Sequence, residues 1–151
     1  MIAKYQLFSV EEIDELLRDS GGEKIVITET LINEEGLLNI FTQYFERDLN
    51  PRVGWDSIHD DLCLDVRTEN GFTIYHFPTS VDILEENERN TYLEIIFNAL
   101  HFHSSLEKGR SCMNPIAHFR LIFSYINEDD RRDKQALLES YQRKIENVDY
   151  R

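Results

Sequence analysis

Cysteine is scarce in this 151-residue chain: only Cys63 and Cys112, far apart. A secreted disulfide framework usually shows more, at closer spacing, so a reducing cytoplasm is the expected address. Long apolar runs are also missing. None approaches the roughly 18 residues of a membrane span. Met1 to Phe8 lacks the apolar run of a signal peptide, since Glu11 and Glu12 follow almost at once. The six glycines form neither G-x-x-x-x-G-K-[ST] nor G-x-G-x-x-G, which argues against a phosphate loop. C-x-x-C, H-E-x-x-H and a nucleophile-elbow serine are absent too. Positive charge is the last shortage. Sixteen Lys and Arg face 29 Asp and Glu, a net charge of −13. That disfavours direct nucleic-acid binding, which draws on cations against phosphate. It disfavours an anionic membrane as well. A basic protein partner is the positive reading; solubility alone is the bland one.

What is present predicts one domain over 1–151. Ser9 and Glu12 form a capping box in front of a helix over 10–19. The unbroken apolar run 24–28 predicts a strand covered on both faces. Helices follow over 34–47 and 55–66, the second with Trp55, Ile58 and Leu62 on one side. A strand over 72–77 precedes the most apolar helix, 88–106. A strand over 119–126 and a charged helix over 130–147 complete the chain, with Asp129-Asp130 expected as the cap of that helix. Strands separated by helices favour an α/β fold: a three-stranded parallel sheet flanked by helices. Residues 1–22 read as an N-terminal helical segment, 127–151 as a C-terminal helix, and Lys108 to Pro115 as an irregular connection.

Few residues offer chemistry. His101 and His103 stand at i, i+2, so their rings point about 200° apart on a helix and do not share an ion. Helix-end histidines near C-terminal carbonyls account for them better. Cys63 reads as packing, and Cys112 has only Arg110 nearby to lower its pKa. No metal or other cofactor is expected. The acidic group Asp56, His59, Asp60 and Asp61 is different. Asp56 and Asp60 are i, i+4 on one face, where like charges repel. A solvated surface, paired carboxylates of an enzyme and a docking face for a cationic partner are the three readings. Carboxylates fixed on a helix meet a cationic cleft without reorganisation and speed association.

Gly54-Trp55-Asp56-Ser57-Ile58-His59-Asp60-Asp61-Leu62 resembles the central motif of the barstar family, intracellular inhibitors of barnase-type ribonucleases. That motif runs Asn-Trp-Asp-Ala-Leu-x-Asp-x-Leu after a glycine-containing loop. Trp55, Asp56, Asp60 and Leu62 match; Ser57 and Ile58 are close replacements. The element order over 24–126 also agrees. The resemblance implies a barstar-like fold and a non-enzymatic, monomeric antitoxin or immunity protein for a basic nuclease toxin. Asp56 and Asp60 would imitate RNA phosphates, with His59 between them where a well-studied member has tryptophan. Arg52, Val53 and Gly54 would lie in the docking loop, and Trp55 in the core. Asn98 falls near the place where some members carry an acidic residue. The loop Asn50-Pro51-Arg52-Val53-Gly54 departs from the family's aromatic-Gly-x-Asn stretch, and Arg52 sets a positive charge where a basic nuclease approaches. The partner then differs from barnase itself. The alternatives are a small metal-dependent enzyme built on Asp56, His59 and Asp60, or a barstar-like scaffold without a nuclease target.

Residues 1–65 carry fifteen acidic side chains against five basic ones, so most of the excess negative charge lies in the half that holds the motif.

Overall fold

The computed structural model describes residues 3–19, 22–28, 34–45, 54–64, 71–82, 84–110 and 119–147, with the side chains at 19 and 106–110 excepted. Its elements are β1 (Gln6–Ser9), α1 (Val10–Asp19), β2 (Glu23–Ile27), α2 (Glu34–Tyr44), α3 (Trp55–Leu64), β3 (Phe72–His76), α4 (Glu86–Arg110), β4 (Phe119–Tyr125) and α5 (Glu128–Glu146). The fold is α/β, a parallel sheet flanked by helices.

The sheet has four strands in the order β1-β4-β3-β2, not the expected three. The added strand is β1, which pairs parallel with β4 in the register Gln6 to Ile122 and Ser9 to Tyr125. The segment 1–22 is therefore not purely helical. Four residues are too short for a period-2 pattern to stand out, and the cap signal at Ser9 masks the strand that ends there. Ser9 serves both elements. Its hydroxyl accepts from the Glu12 amide at 3.4 Å and donates to the Glu12 carboxylate at 2.9 Å.

Alternation of side chains gives the sheet two unequal faces. One carries Ile25, Ile27, Phe72, Ile74, Phe119, Leu121 and Phe123 into the main core, packed by α2, α3, α4 and α5. Tyr5 joins that core from just before β1, edge-on to Phe97 and Phe123. Among the described residues the other face holds a smaller cluster of Ile13, Tyr75 and Ile122, with Phe8, Leu16, Leu17, Val26 and Phe77 packed against it. As an edge strand β2 buries Ile25 and Ile27 while Lys24 stays exposed and Val26 half-buried, so the expected cover on both faces is not met there. Gly22 and Gly71 have φ of 91° and 94° at the entrances to β2 and β3. Only glycine takes that left-handed turn without strain.

α4 runs to Arg110, past the expected end at 106. It packs against α3, α5 and β4. The cap of α5 is Asn127, whose side chain accepts from the Asp130 amide at 2.9 Å. Asp129 and Asp130 are thus in the first turn rather than at the cap. Asp130 instead accepts from the Ile126 amide at 2.8 Å and pairs with buried Lys134. Among the described residues no helix is long and apolar enough to cross a membrane.

Candidate functional site

α3 starts at a side chain that cannot move freely. Trp55 is buried, its ring tilted on Tyr92 at 5.5 Å and edge-on to Phe41 at 6.3 Å. Its indole N–H donates to Glu34 Oε1 at 2.8 Å, joining the first residue of α3 to the first of α2. The far end is held as well. Leu62 O, in the last turn of α3, accepts from His103 Nε2 at 2.7 Å. His103 is buried and stacks on Phe119 at 4.7 Å. It meets a helix-terminal carbonyl, as expected, but that of α3 and not of its own helix, because α4 continues beyond it. His101 is buried in the same helix, and burial lowers the pKa of both rings.

Between these anchors the helical repeat sorts the side chains. Ile58, Asp61 and Leu62 are buried with Trp55. Asp56 and Asp60 are exposed, and His59 and Cys63 are half-buried. At about 100° per residue, Asp56, His59, Asp60 and Cys63 fall within an arc of about 100°. The structure therefore brings Asp56, His59 and Asp60 onto one face and withdraws Asp61 from it. Asp56 lies in the first turn, where the helix dipole favours a carboxylate. Gly54 is exposed just ahead of the helix, and its carbonyl accepts from the Ile58 amide at 3.3 Å. Arg52, Val53 and Cys112 lie outside the described residues. Asn98 is not beside the acidic face. It lines a shallow groove between α4 and α5 with Glu94, Phe97, Tyr141, Lys144 and Ile145.

Cys63 Sγ stands 3.6 Å from His59 Nε2. Burial, then the nearby charge of Asp60, pushes the thiol up to about 11. A thiol in that state is not an activated nucleophile. Among the described residues no group of three or more His, Cys, Asp or Glu side chains is arranged to hold a metal ion.

Sequence reasoning missed Glu34, the tie of His103 to α3 rather than to its own helix, and a polar pair beneath the site. His76 is fully buried on β3, with Nδ1 donating to Ile122 O at 2.9 Å and Nε2 accepting from the Tyr92 hydroxyl at 2.6 Å. Burial lowers its pKa to about 4, so the ring is neutral. Tyr92, raised by burial, touches Trp55 from the same spot. Only the i, i+4 spacing of His59 and Cys63 was open to a sequence reading; the other partners come from distant elements.

None of the protein-family models, curated proteins or solved structures compared with the chain matches it. The functional reading rests on the geometry of α3 and on the motif it carries.

Proposed function

We propose that this protein is a barstar-like antitoxin or immunity protein of the cytoplasm. It binds a basic nuclease toxin stoichiometrically and blocks the active site with the exposed face of α3 and the loop before it. The observation that carries this reading is the exposed pair Asp56 and Asp60 on a helix anchored at both ends. Side chains on an immobilised helix lose little freedom on docking, and fixed negative charge steers a cationic partner. The element sequence β2-α2-α3-β3-α4-β4 within one parallel sheet agrees with the order of the resembled family. In this reading Asp56 and Asp60 take the place of RNA phosphates, and His59 makes its own contact between them. Gly54 flanks the landing surface.

The test is inhibition of RNA cleavage. The purified chain is titrated into a barnase-type ribonuclease and into the nuclease domain of any toxin encoded in the adjacent reading frame. Loss of cleavage at one equivalent, weakened by salt, is the expected result. Asp60→Ala should lower affinity by at least about 2 kcal/mol if it is a central contact. That size comes from inhibitor–ribonuclease complexes of the resembled family, not from this geometry. Undiminished cleavage in excess protein overturns the proposal for those nucleases. Unchanged affinity of the Asp60 variant for an inhibited nuclease overturns the residue assignment.

A further inference from the structure

The ring of His59 lies on the polar face of α3 with one nitrogen engaged and the other free. Cβ atoms on a helix tilt toward its N-terminus, so the side chain at i+4 leans back over the one at i. Cys63 Sγ meets His59 Nε2 in this way at 3.6 Å, and both residues are half-buried. Burial, then the charge of Asp60, keeps the proton on the sulfur, with the thiol pushed up to about 11. Among the described residues His59 Nε2 is the hydrogen-bond partner of that thiol, and no helix carbonyl competes for it. A protonated thiol donates, and it needs a bare ring nitrogen to receive the bond. The ring's own proton then sits on Nδ1, because the bond made by one imidazole nitrogen fixes the protonation of the other. Nδ1 has no hydrogen-bond partner among the described residues, and it is not sealed from solvent.

We propose that Cys63 is a positioning residue for the docking face: its thiol donates to His59 Nε2, holds the ring as the Nδ1–H tautomer, and so sets a hydrogen-bond donor beside the carboxylates of Asp56 and Asp60. The opposite direction, Nε2–H onto sulfur, uses a weak acceptor and leaves the S–H proton without a partner. The docking role rests on the reading of α3 as the surface that enters a nuclease cleft; the tautomer does not. Ionised carboxylates are acceptors only. A face made of them alone matches any cationic surface. With the Nδ1–H beside them, the face also calls for an acceptor, a carboxylate or a main-chain carbonyl, next to the partner's cations. RNA offers the same combination, with acceptor oxygens on its phosphates and N–H donors on its base edges. A cleft built to grip both carries groups complementary to both parts of this surface. His59, held by Cys63, thereby separates such a cleft from a merely basic patch, which leaves the donor unmatched.

The experiment records long-range proton–nitrogen correlations of the histidine rings in the isotope-labelled full chain at about pH 8, where free imidazole is neutral. His59→Phe identifies the signals of that ring. Wild type should show a protonated Nδ1 and a bare Nε2 at His59. Cys63→Ala should replace this pattern by mixed tautomers, and circular dichroism checks that each variant is folded. A protonated Nε2 in wild type, or an Nδ1–H form that persists in Cys63→Ala, overturns the assignment. Affinity is then measured for a nuclease that the protein inhibits. Cys63→Ala should weaken binding roughly three- to tenfold. His59→Phe removes the donor and should weaken it at least as much, and Cys63→Ala should add little in its presence. Additive losses overturn the positioning role. A protein that binds no nuclease overturns the docking reading and the role in it, while the ring correlations still decide the tautomer.

Discussion

The indole N–H of Trp55 donates to Glu34 Oε1 at 2.8 Å, and this bond joins the start of α3 to the start of α2. Trp55 is the only tryptophan in the chain, so its fluorescence reports on that joint alone. Glu34→Ala removes the acceptor and leaves a largely buried N–H to water or to nothing. The expected loss is about 1–2 kcal/mol of unfolding free energy, measured by urea denaturation. Glu34→Gln keeps a carbonyl acceptor and should lose less. Equal stability of wild type and Glu34→Ala would show that the joint does not hold the helix.

His76 predicts an acid-side loss of stability. Its folded pKa of about 4 lies below the ordinary value of 6.5 because burial disfavours the charged ring. The folded state therefore holds fewer protons than the unfolded state between those values. The stabilising contribution is complete above about pH 6.5 and is lost as pH falls toward 4. Over that window it amounts to roughly 3 kcal/mol. His101 and His103, also lowered by burial, act in the same direction. His76→Asn should be less stable at pH 7 and show a flatter profile between pH 6.5 and 4. An identical slope in wild type and variant refutes the assignment.

How far the sequence foretells this molecule depends on how local each signal is. β2, β3 and β4 fall within a residue of the expected bounds, because β-branched and aromatic runs end at Gly22, Gly71 and nearby turns. β1 was hidden, since four residues gain their strand identity only from pairing with β4 across more than a hundred positions. The exposed face of α3 was legible for the same reason that helices are. A 3.6-residue repeat with Trp55, Ile58 and Leu62 inward leaves Asp56 and Asp60 outward. Asp61 broke the rule that acids stay outside, because its angular position lies on the core side. Nothing local marks Glu34 or His103 as the anchors of α3.

Asp56 and Asp60 should separate binding from folding. Both are exposed, so each alanine variant should change stability by no more than about 0.5 kcal/mol. Removing Asp60 relieves an i, i+4 repulsion and should tip slightly toward a gain. Asp56→Ala gives up a favourable charge at the helix N-terminus and should tip slightly toward a loss. Thermal and urea unfolding of the two variants measure this. A loss above about 1 kcal/mol in either means that the carboxylate supports the fold, and a drop in partner affinity could not then be read as a lost contact.

Gln142 ties the N-terminal segment to the last helix. Its side chain is fully buried on α5. Oε1 accepts from the Tyr5 amide at 3.3 Å, and Nε2 donates to Ala3 O at 3.1 Å. A side-chain amide thus offers residues 3–5 the donor and acceptor that a neighbouring strand would offer, just ahead of β1. Tyr5 gains a second hold through its hydroxyl, which donates to Glu139 at 2.9 Å. Gln142→Leu keeps the volume but leaves the buried Tyr5 N–H and the half-buried Ala3 C=O without these partners. Each unpaired group costs about 1–3 kcal/mol, so an overall loss of about 2–4 kcal/mol is expected. The loss should begin locally. Hydrogen exchange at Tyr5 and along β1 should accelerate more than exchange in β3, whose every side chain is buried. If Gln142→Leu leaves both the unfolding midpoint and β1 exchange unchanged, the amide is not what holds the segment. The sheet pairing with β4 and the burial of Tyr5 would then suffice to keep β1 in place.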